Sequence, residues 1–534
     1  MNKYFRHLIA ALIVVICGLF GWWIVRDMKT SGAGVVALKP LEQQLAKVTP
    51  TSKERIKPTA RDEFHDGTTV EIFGSRQPDE VILRFPTEES YENFLFSAVQ
   101  SNIEVVDQLD RLRAIRLRYD DREDLTLLLL GENITTYDSA PSLSPPGPVG
   151  GTNQEGLVGF GNGLLPWLGI TTDHSTWGAG VKVAVLDSGI VPHSDLPGLT
   201  KSIEIVPFPQ DIEKTHGHGT AVASLIAGAD AAAPGVAPGV ELISIRISDE
   251  SGQADSFAMA AGILAAVDSG ADLINISMGT TVDNPLIAEA VDYAQDHKSL
   301  IVASSGNSEQ SDATYPAAYP SVISVGSVDA RGEHLDFSNY GTSLSVTAPG
   351  YAVNAAWPGN RYTRISGTSA SAPIVTGAIA ATMSNGSGAK MNAKDAADIV
   401  MKYSDEAGIA GPDSEYGMGI LNVGRVMTRG ISGIVDAAIT DQRIRGSGIE
   451  ITVQNRGTSI LVNTLLEVST PFGNRQFNVT TLAAGAVHTF TMPLRLSSMP
   501  AGQSIEVNSK LTLGAIGRDA TPYNNQRSDT LYRR

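Results

Sequence analysis

The chain has 534 residues, 42% hydrophobic and 18% charged, so there is apolar material for several cores. Its net charge of −17 argues against nucleic acid, whose binders need a basic face. The single cysteine, Cys17, builds neither an internal disulfide nor a cysteine zinc site, and the absence of HExxH and GxxxxGK[ST] removes the commonest zinc-protease and P-loop readings.

In chain order, residues 8–25 come first, an 18-residue run without a charge. As a helix the run spans roughly 27 Å, close to the hydrocarbon core of a bilayer. Lys3, Arg6 and His7 precede it and Trp22 and Trp23 sit at its far end, which predicts a signal-anchor over 1–26 with a cytoplasmic N-terminus and the rest of the chain outside, periplasmic or extracellular. A cleaved signal peptide is the alternative; the length of the run and the lack of an A-x-A site weigh against it. Cys17 then reads as an apolar membrane residue. Residues 27–62 are a polar linker.

Residues 63–138 read as a small charged domain. EVILRF (80–85) alternates like a strand, and Tyr91, Phe94, Leu95 and Val99 share one face of a helix over 88–99, with Thr87 as its cap. Strands follow at 103–109 and 113–119, a helix at 121–130 and a strand at 134–137. The order βαββαβ is the ferredoxin-like α+β pattern. Residues 139–159, with Pro141, Pro145, Pro146 and Pro148, form a stiff exposed linker.

Residues 160–428 hold short apolar runs at 181–187, 241–247, 272–279, 300–307 and 322–329, with helical stretches at 255–268, 284–297 and 369–384. Strands apolar on both faces and separated by helices predict an α/β unit with a parallel sheet, its functional residues beyond the carboxyl ends of the strands. From 429 to 534 the runs alternate, at 449–454, 459–469, 475–480, 487–495 and 504–513, with 521–531 closing, which predicts an all-β sandwich.

Three polar residues end apolar stretches of the α/β unit: Asp187 in VAVLDSGI, His218 in HGHGTAVASLIAG and Ser369 in ISGTSASAP. Singly they read as a turn, a satisfied histidine and a helix cap. Together they suit nucleophilic catalysis. A serine hydroxyl needs a base, an imidazole supplies one near neutral pH, and a carboxylate fixes the ring's tautomer and stabilises the imidazolium. A serine at a helix start also gains free backbone N–H groups for a developing negative charge. Pro373 is expected in the first turn of that helix, where proline is tolerated.

The order Asp, His, Ser is that of subtilisin, and these three segments resemble the signature segments of subtilisin-like serine proteases, the subtilases. GVAP (235–238), Ser277-Met278-Gly279, Ser305-Gly306-Asn307, YPAAYPSVISVGSVD (315–329), TAPG (347–350) and YGMGILNV (416–423) add to the resemblance. It implies a triad of Asp187, His218 and Ser369, with Asn307 and the Ser369 N–H forming an oxyanion hole. Ser277, Met278 and Gly279 on one side, and Ser251 and Gly252 on the other, would pair with an extended peptide or protein substrate. Thr314 falls near the base of the S1 pocket. His216 and His193 lack the family's contexts and read as bystanders. The family often has methionine after the nucleophile; here Ala370 stands there.

No metal ligands are assigned, and no cofactor is required for catalysis. Calcium is possible but not predicted, because the loop after the histidine helix, GADAAAPG (228–235), offers mainly Asp230. The N-terminal domain resembles the family's propeptide, an inhibitor and folding chaperone removed by self-cleavage, here between Tyr137 and Asn162. The chain is thus expected to be an exported, self-processing serine endopeptidase. Its partners would be peptide or protein substrates, its own propeptide and the membrane through residues 8–25, and it would be released after cleavage if the cut frees it. Two alternatives stay open: a catalytically silent binding scaffold, and a narrow-specificity envelope signalling protease. The sandwich is open to roles in binding or in stabilisation.

Overall fold

The computed structural model describes residues 80–98, 103–120, 125, 129, 135–137, 157–209, 215–385, 390–494, 504–514 and 517–532. The expected anchor, the linker over 27–62 and the Pro/Gly-rich segment up to residue 156 lie outside them. Among the described residues no helix is long and apolar enough to cross a membrane.

The N-terminal unit is an antiparallel sheet of β1 (Glu80–Arg84), β2 (Ile103–Leu109), β3 (Ala114–Tyr119) and β4 (Thr135–Tyr137), in the order β2-β3-β1-β4. Helix α1 (Glu88–Ala98) follows β1, and Thr87 caps it by accepting the Ser90 N–H at 3.1 Å. Of the expected helix over 121–130, only Leu125 and Leu129 are described, and both are helical and buried.

Alternation along the strands gives this sheet two buried faces. Val81, Leu83, Ile115 and Leu117 pack on Tyr91 and Phe94 of α1. Ile82 and Ala114, on the opposite face, join the core around Phe257 and Ile263 of the large unit. Polar contacts frame this seam. Arg116 pairs with Asp255 and lies 4.7 Å from the Phe257 ring centroid, Arg111 meets Asp268 at 2.9 Å, and Arg84 pairs with Glu289.

The large unit is built on a seven-stranded, all-parallel sheet. Its strands are β5 (Lys182–Asp187), β6 (Leu199–Glu204), β7 (Glu241–Arg246), β8 (Leu273–Ile276), β9 (Leu300–Ser304), β10 (Ile323–Val328) and β11 (Val346–Pro349), ordered β11-β10-β9-β8-β5-β7-β6. The five apolar runs supply the inner strands, which are buried on both faces as parallel strands require. The edge strands β6 and β11 escaped sequence reading, since LTKSIE is half polar and VTAP is four residues long. Helices α2 (His218–Ala227), α5 (Thr368–Ser384) and α6 (Ala393–Lys402) contribute to one core cluster, and α3 (Ser256–Asp268) and α4 (Pro285–Asp296) to the other. A hairpin of β12 (Val353–Trp357) and β13 (Arg361–Ile365) precedes α5.

Strand order reverses around β5, so the crevice at its carboxyl end is where a ligand binds in such sheets. That end is Asp187.

Pro373 is a correction. It is the sixth residue of α5, beyond the first turn. A residue there would normally donate its N–H to the carbonyl of residue 369. The proline leaves that carbonyl free, and the Ser277 hydroxyl satisfies it at 3.1 Å.

The C-terminal strands form two antiparallel sheets. One contains β14 (Ala437–Arg445), β15 (Gly448–Asn455) and β18 (Val487–Pro493); the other contains β16 (Leu461–Thr470), β17 (Gly473–Leu482), β19 (Ser504–Thr512) and β20 (Gln526–Tyr532). Ile451, Val453, Leu466, Val468 and Val507 lie in one core between them. Asp405 binds this part to the α/β unit. It accepts from Arg425 at 2.9 Å, from Asn422 at 2.9 Å and from Arg456, which lies beyond β15, at 3.0 Å. Asp405→Asn leaves two arginines underpaired, and the expected loss is on the order of 3 kcal/mol. Thermal unfolding of Asp405→Asn, Arg456→Met and the double variant tests this: the losses should be strongly non-additive.

Candidate active site

Asp187 is fully buried, 0% exposed, and its carboxylate accepts the Ser188 N–H at 2.7 Å. His218, 2% exposed, begins α2 and approaches both carboxylate oxygens through Nδ1, at 2.8 and 2.9 Å. An Nδ1–H donated to the carboxylate leaves Nε2 as the acceptor. Nε2 is buried and has no hydrogen-bond partner among the described residues.

The local sequence enforces this approach. A Cβ on Gly219 would lie 2.5 Å from the Gly189 carbonyl oxygen and 3.2 Å from the Asp187 Cβ, so the helix reaches the strand end only with glycine there. Ser188 fastens both sides of the histidine: its hydroxyl donates to the His216 carbonyl at 2.6 Å and accepts the Gly219 N–H at 3.0 Å.

Ser369 is the second residue of α5. Its hydroxyl donates to the Ser277 carbonyl at 3.0 Å. Ser277 Oγ in turn accepts from Asn275 Nδ2 at 2.9 Å, and Asn275 Oδ1 accepts from the Thr376 hydroxyl at 2.9 Å. The structure therefore joins Asp187 to His218 and Ser369 to Ser277, while no hydrogen bond between Ser369 and His218 occurs among the described residues. Asn307 faces the start of α5. Its Oδ1 accepts both the backbone N–H and the hydroxyl of Thr368 at 2.9 Å. Because an N–H must meet an oxygen, the amide orientation is fixed and Nδ2 remains free to donate.

Of the expected substrate edge, Ser277 carries the contacts just described, and Met278 is buried in the core of α3 and α4. Gly279 borders Thr314: a Cβ on it would fall 2.3 Å from Thr314 Oγ1, and one on Gly306 would fall 2.9 Å from Thr314 Cγ2. The threonine side chain thus fills the space between those two glycines. Ser251 and Gly252 sit on the turn after β7, where the Ser251 hydroxyl donates to Asp249 at 2.7 Å. Sequence reasoning missed Ser188, Thr368 and Asn275 as supports.

Residues 178–419 match the Subtilase family. The thermostable alkaline protease of Halalkalibacterium halodurans is 34% identical over 251 residues, which cover 47% of this chain and 68% of that protein. Subtilisin DY of Bacillus licheniformis is 36% identical over 253 residues, 46% of this chain and 90% of its own. Subtilisin Savinase of Lederbergia lenta is 37% identical over 205 residues, 38% and 76% respectively. The chain belongs to the subtilase family. It is a subtilisin-like serine endopeptidase.

Calcium binding is common among subtilases, and the loop after α2 is where the resemblance implies a site. Asp195, 1% exposed, accepts the Asp230 N–H with Oδ1, while its Oδ2 is buried beside Gly228 without a partner among the described residues. Asp230 Oδ1 is engaged by the Ala232 N–H at 2.9 Å. One orphan oxygen in an alanine-rich loop falls short of the six to eight that calcium takes, so the donor set does not fit. Among the described residues no group of three or more His, Cys, Asp or Glu could hold a metal. His193 is engaged at both nitrogens, accepting from the Asp195 N–H and donating to the Arg361 carbonyl, each at 3.1 Å. His216 lies 6.1 Å from His218 between ring centroids, and burial, with His218 beside it, pushes its pKa down.

Burial pushes the Asp195 carboxyl up to about 6. The folded protein then binds a proton that the unfolded chain releases near pH 4, so this group favours folding at low pH and its contribution fades as pH rises towards 6. Asp195→Asn is expected to melt above the wild type at pH 8, with the gap closing towards pH 4. A variant that melts lower at pH 8, with a calcium response lost, would instead make Asp195 a metal ligand.

Proposed function

We propose that the chain is an exported, self-processing protease that cleaves peptide bonds through Asp187, His218 and Ser369. The observation that carries this reading is the buried Asp187–His218 pair with Nε2 unpartnered, in the crevice that also holds a serine at a helix start. Ser369 attacks the scissile carbonyl after its hydroxyl leaves Ser277 and gives its proton to His218 Nε2. His218 then passes that proton to the leaving amine, and Asp187 holds the ring and stabilises the imidazolium. Asn307 Nδ2 and the Ser369 N–H stabilise the oxyanion. Water, activated by the same histidine, releases the acyl group. The chemistry needs no metal.

The substrate lies extended between residues 277–279 and 251–252. Its P1 side chain enters the space flanked by Gly279 and Gly306, which Thr314 shortens, so small P1 residues are preferred. The N-terminal unit acts as propeptide: its sheet covers α3 and α4, and β4 leads towards the site of the cut between Tyr137 and Asn162. A parallel sheet folds slowly, which gives such a template its use. Residues 8–25 hold the precursor in the membrane with the catalytic unit outside, and the cut releases it.

Intact mass and N-terminal sequencing of the wild type beside Ser369→Ala test this reading. The wild type should begin near residues 138–162 while the variant keeps its N-terminal unit. If both remain full length and neither cleaves peptides, the silent-scaffold reading replaces this one. Asn307→Ala should retain processing at a reduced rate, with kcat down by about 10²–10³, the scale found for the oxyanion asparagine of a subtilisin.

The pocket has its own test, a peptide library varied at P1. Thr314→Gly should gain large apolar P1 residues that the wild type refuses. An unchanged profile would place the specificity determinant elsewhere, and a profile confined to one sequence would favour a narrow signalling role.

A further inference from the structure

A fully buried arginine stands beside the buried aspartate. Arg246 ends β7, and the parallel register sets it directly opposite Asp187 of β5, on strands about 4.8 Å apart. It is 0% exposed, yet none of its contacts among the described residues is a salt bridge. Nη1 donates to the Ser188 carbonyl at 2.5 Å and Nε to the Pro207 carbonyl at 3.2 Å. The guanidinium lies 4.7 Å from the centroid of the Phe208 ring, and Nη2 is buried without a partner among the described residues. Burying a cation this way is costly. The other residues on the same face of this strand, Leu242 and Ser244, are uncharged, so burial there does not itself call for a cation.

We infer that Arg246 is a positioning residue for the Asp187–His218 pair, holding the Ser188 carbonyl while the Ser188 hydroxyl fastens residues 216 and 219 around the histidine, and opposing the Asp187 charge from the next strand. This rests on the catalytic reading of that pair. The geometric link is continuous: guanidinium to Ser188 carbonyl, then Ser188 hydroxyl to His216 carbonyl and Gly219 N–H. The electrostatic link is set by the groups that face one another here. Asp187 comes from β5 and His216 from the approach to α2; Arg246 comes from β7, and Glu204 of β6 and Glu250 after β7 act on it from a distance. Among these, Arg246 is the permanent cation in the strand next to Asp187. Without it the aspartate is less opposed, the protonated form of His218 is favoured, and the base is lost at a higher pH.

The experiment is the pH profile of kcat/KM for wild type, Arg246→Met and Arg246→Lys, with Ser369→Ala as the blank. In Arg246→Met the acid limb should move up by about half a pH unit or more, and kcat should fall about tenfold as the histidine loosens. Arg246→Lys keeps the charge but loses the fork, so its acid limb should coincide with that of the wild type while kcat falls. An Arg246→Met acid limb identical to wild type overturns the inference, as does an Arg246→Lys enzyme with wild-type kcat. The second result stands even if Arg246→Met fails to fold. Wild-type activity equal to the Ser369→Ala blank would instead sink the catalytic reading, and this inference with it.

Discussion

The structure is organised around one buried negative charge. Asp187 sits at the carboxyl end of β5 with no access to water. A carboxylate there is sustained only by donors that replace its hydration, and each donor comes from a different element. Ser188 supplies its own N–H and α2 brings His218, while β7 sets the Arg246 charge alongside without a hydrogen bond to the carboxylate among the described residues. The need for close approach explains the glycine after His218, and the need for a rigid strand end explains why Ser188 is bonded from two sides.

The opposite wall is built by the same economy of backbone groups. A proline inside α5 removes one helical N–H, and the freed carbonyl belongs to Ser369. Ser277 donates to that carbonyl and accepts from Asn275, while its own carbonyl receives the Ser369 hydroxyl. The serine is thus tied at two atoms to the strand that a substrate would pair with. Thr368 plays the matching part for Asn307, holding its oxygen so that the amide nitrogen is the group left to donate.

The N-terminal and C-terminal parts attach by different physics. The N-terminal sheet spends its second face on the large unit, with Ile82 and Ala114 in a shared core and arginines reaching acidic side chains at the rim. One of those acidic groups, Asp255, also caps α3 by accepting the Ala258 N–H at 2.8 Å, so the seam engages a helix terminus already in use. The sandwich is held by a buried ionic node instead, Asp405 between Arg425 and Arg456.

Much of this was legible in the chain. Apolar runs without alternation gave the inner strands, because a parallel sheet covered by helices buries both faces, and Asp187, His218 and Ser369 stood at run ends where such sheets bind ligands. Short or half-polar edge strands such as Leu199–Glu204 left no comparable pattern, and Pro373 was misplaced because a helix start cannot be fixed to a residue by sequence periodicity. What only the tertiary structure decided was partnership. That Arg246 lies against Asp187, that Ser277 completes the helix of Ser369, and that Thr314 fills the space between Gly279 and Gly306 are contacts between residues tens of positions apart. A sequence specifies which faces are apolar and which residues are chemically able. Sheet order, set by packing of the whole chain, decides which of those residues meet.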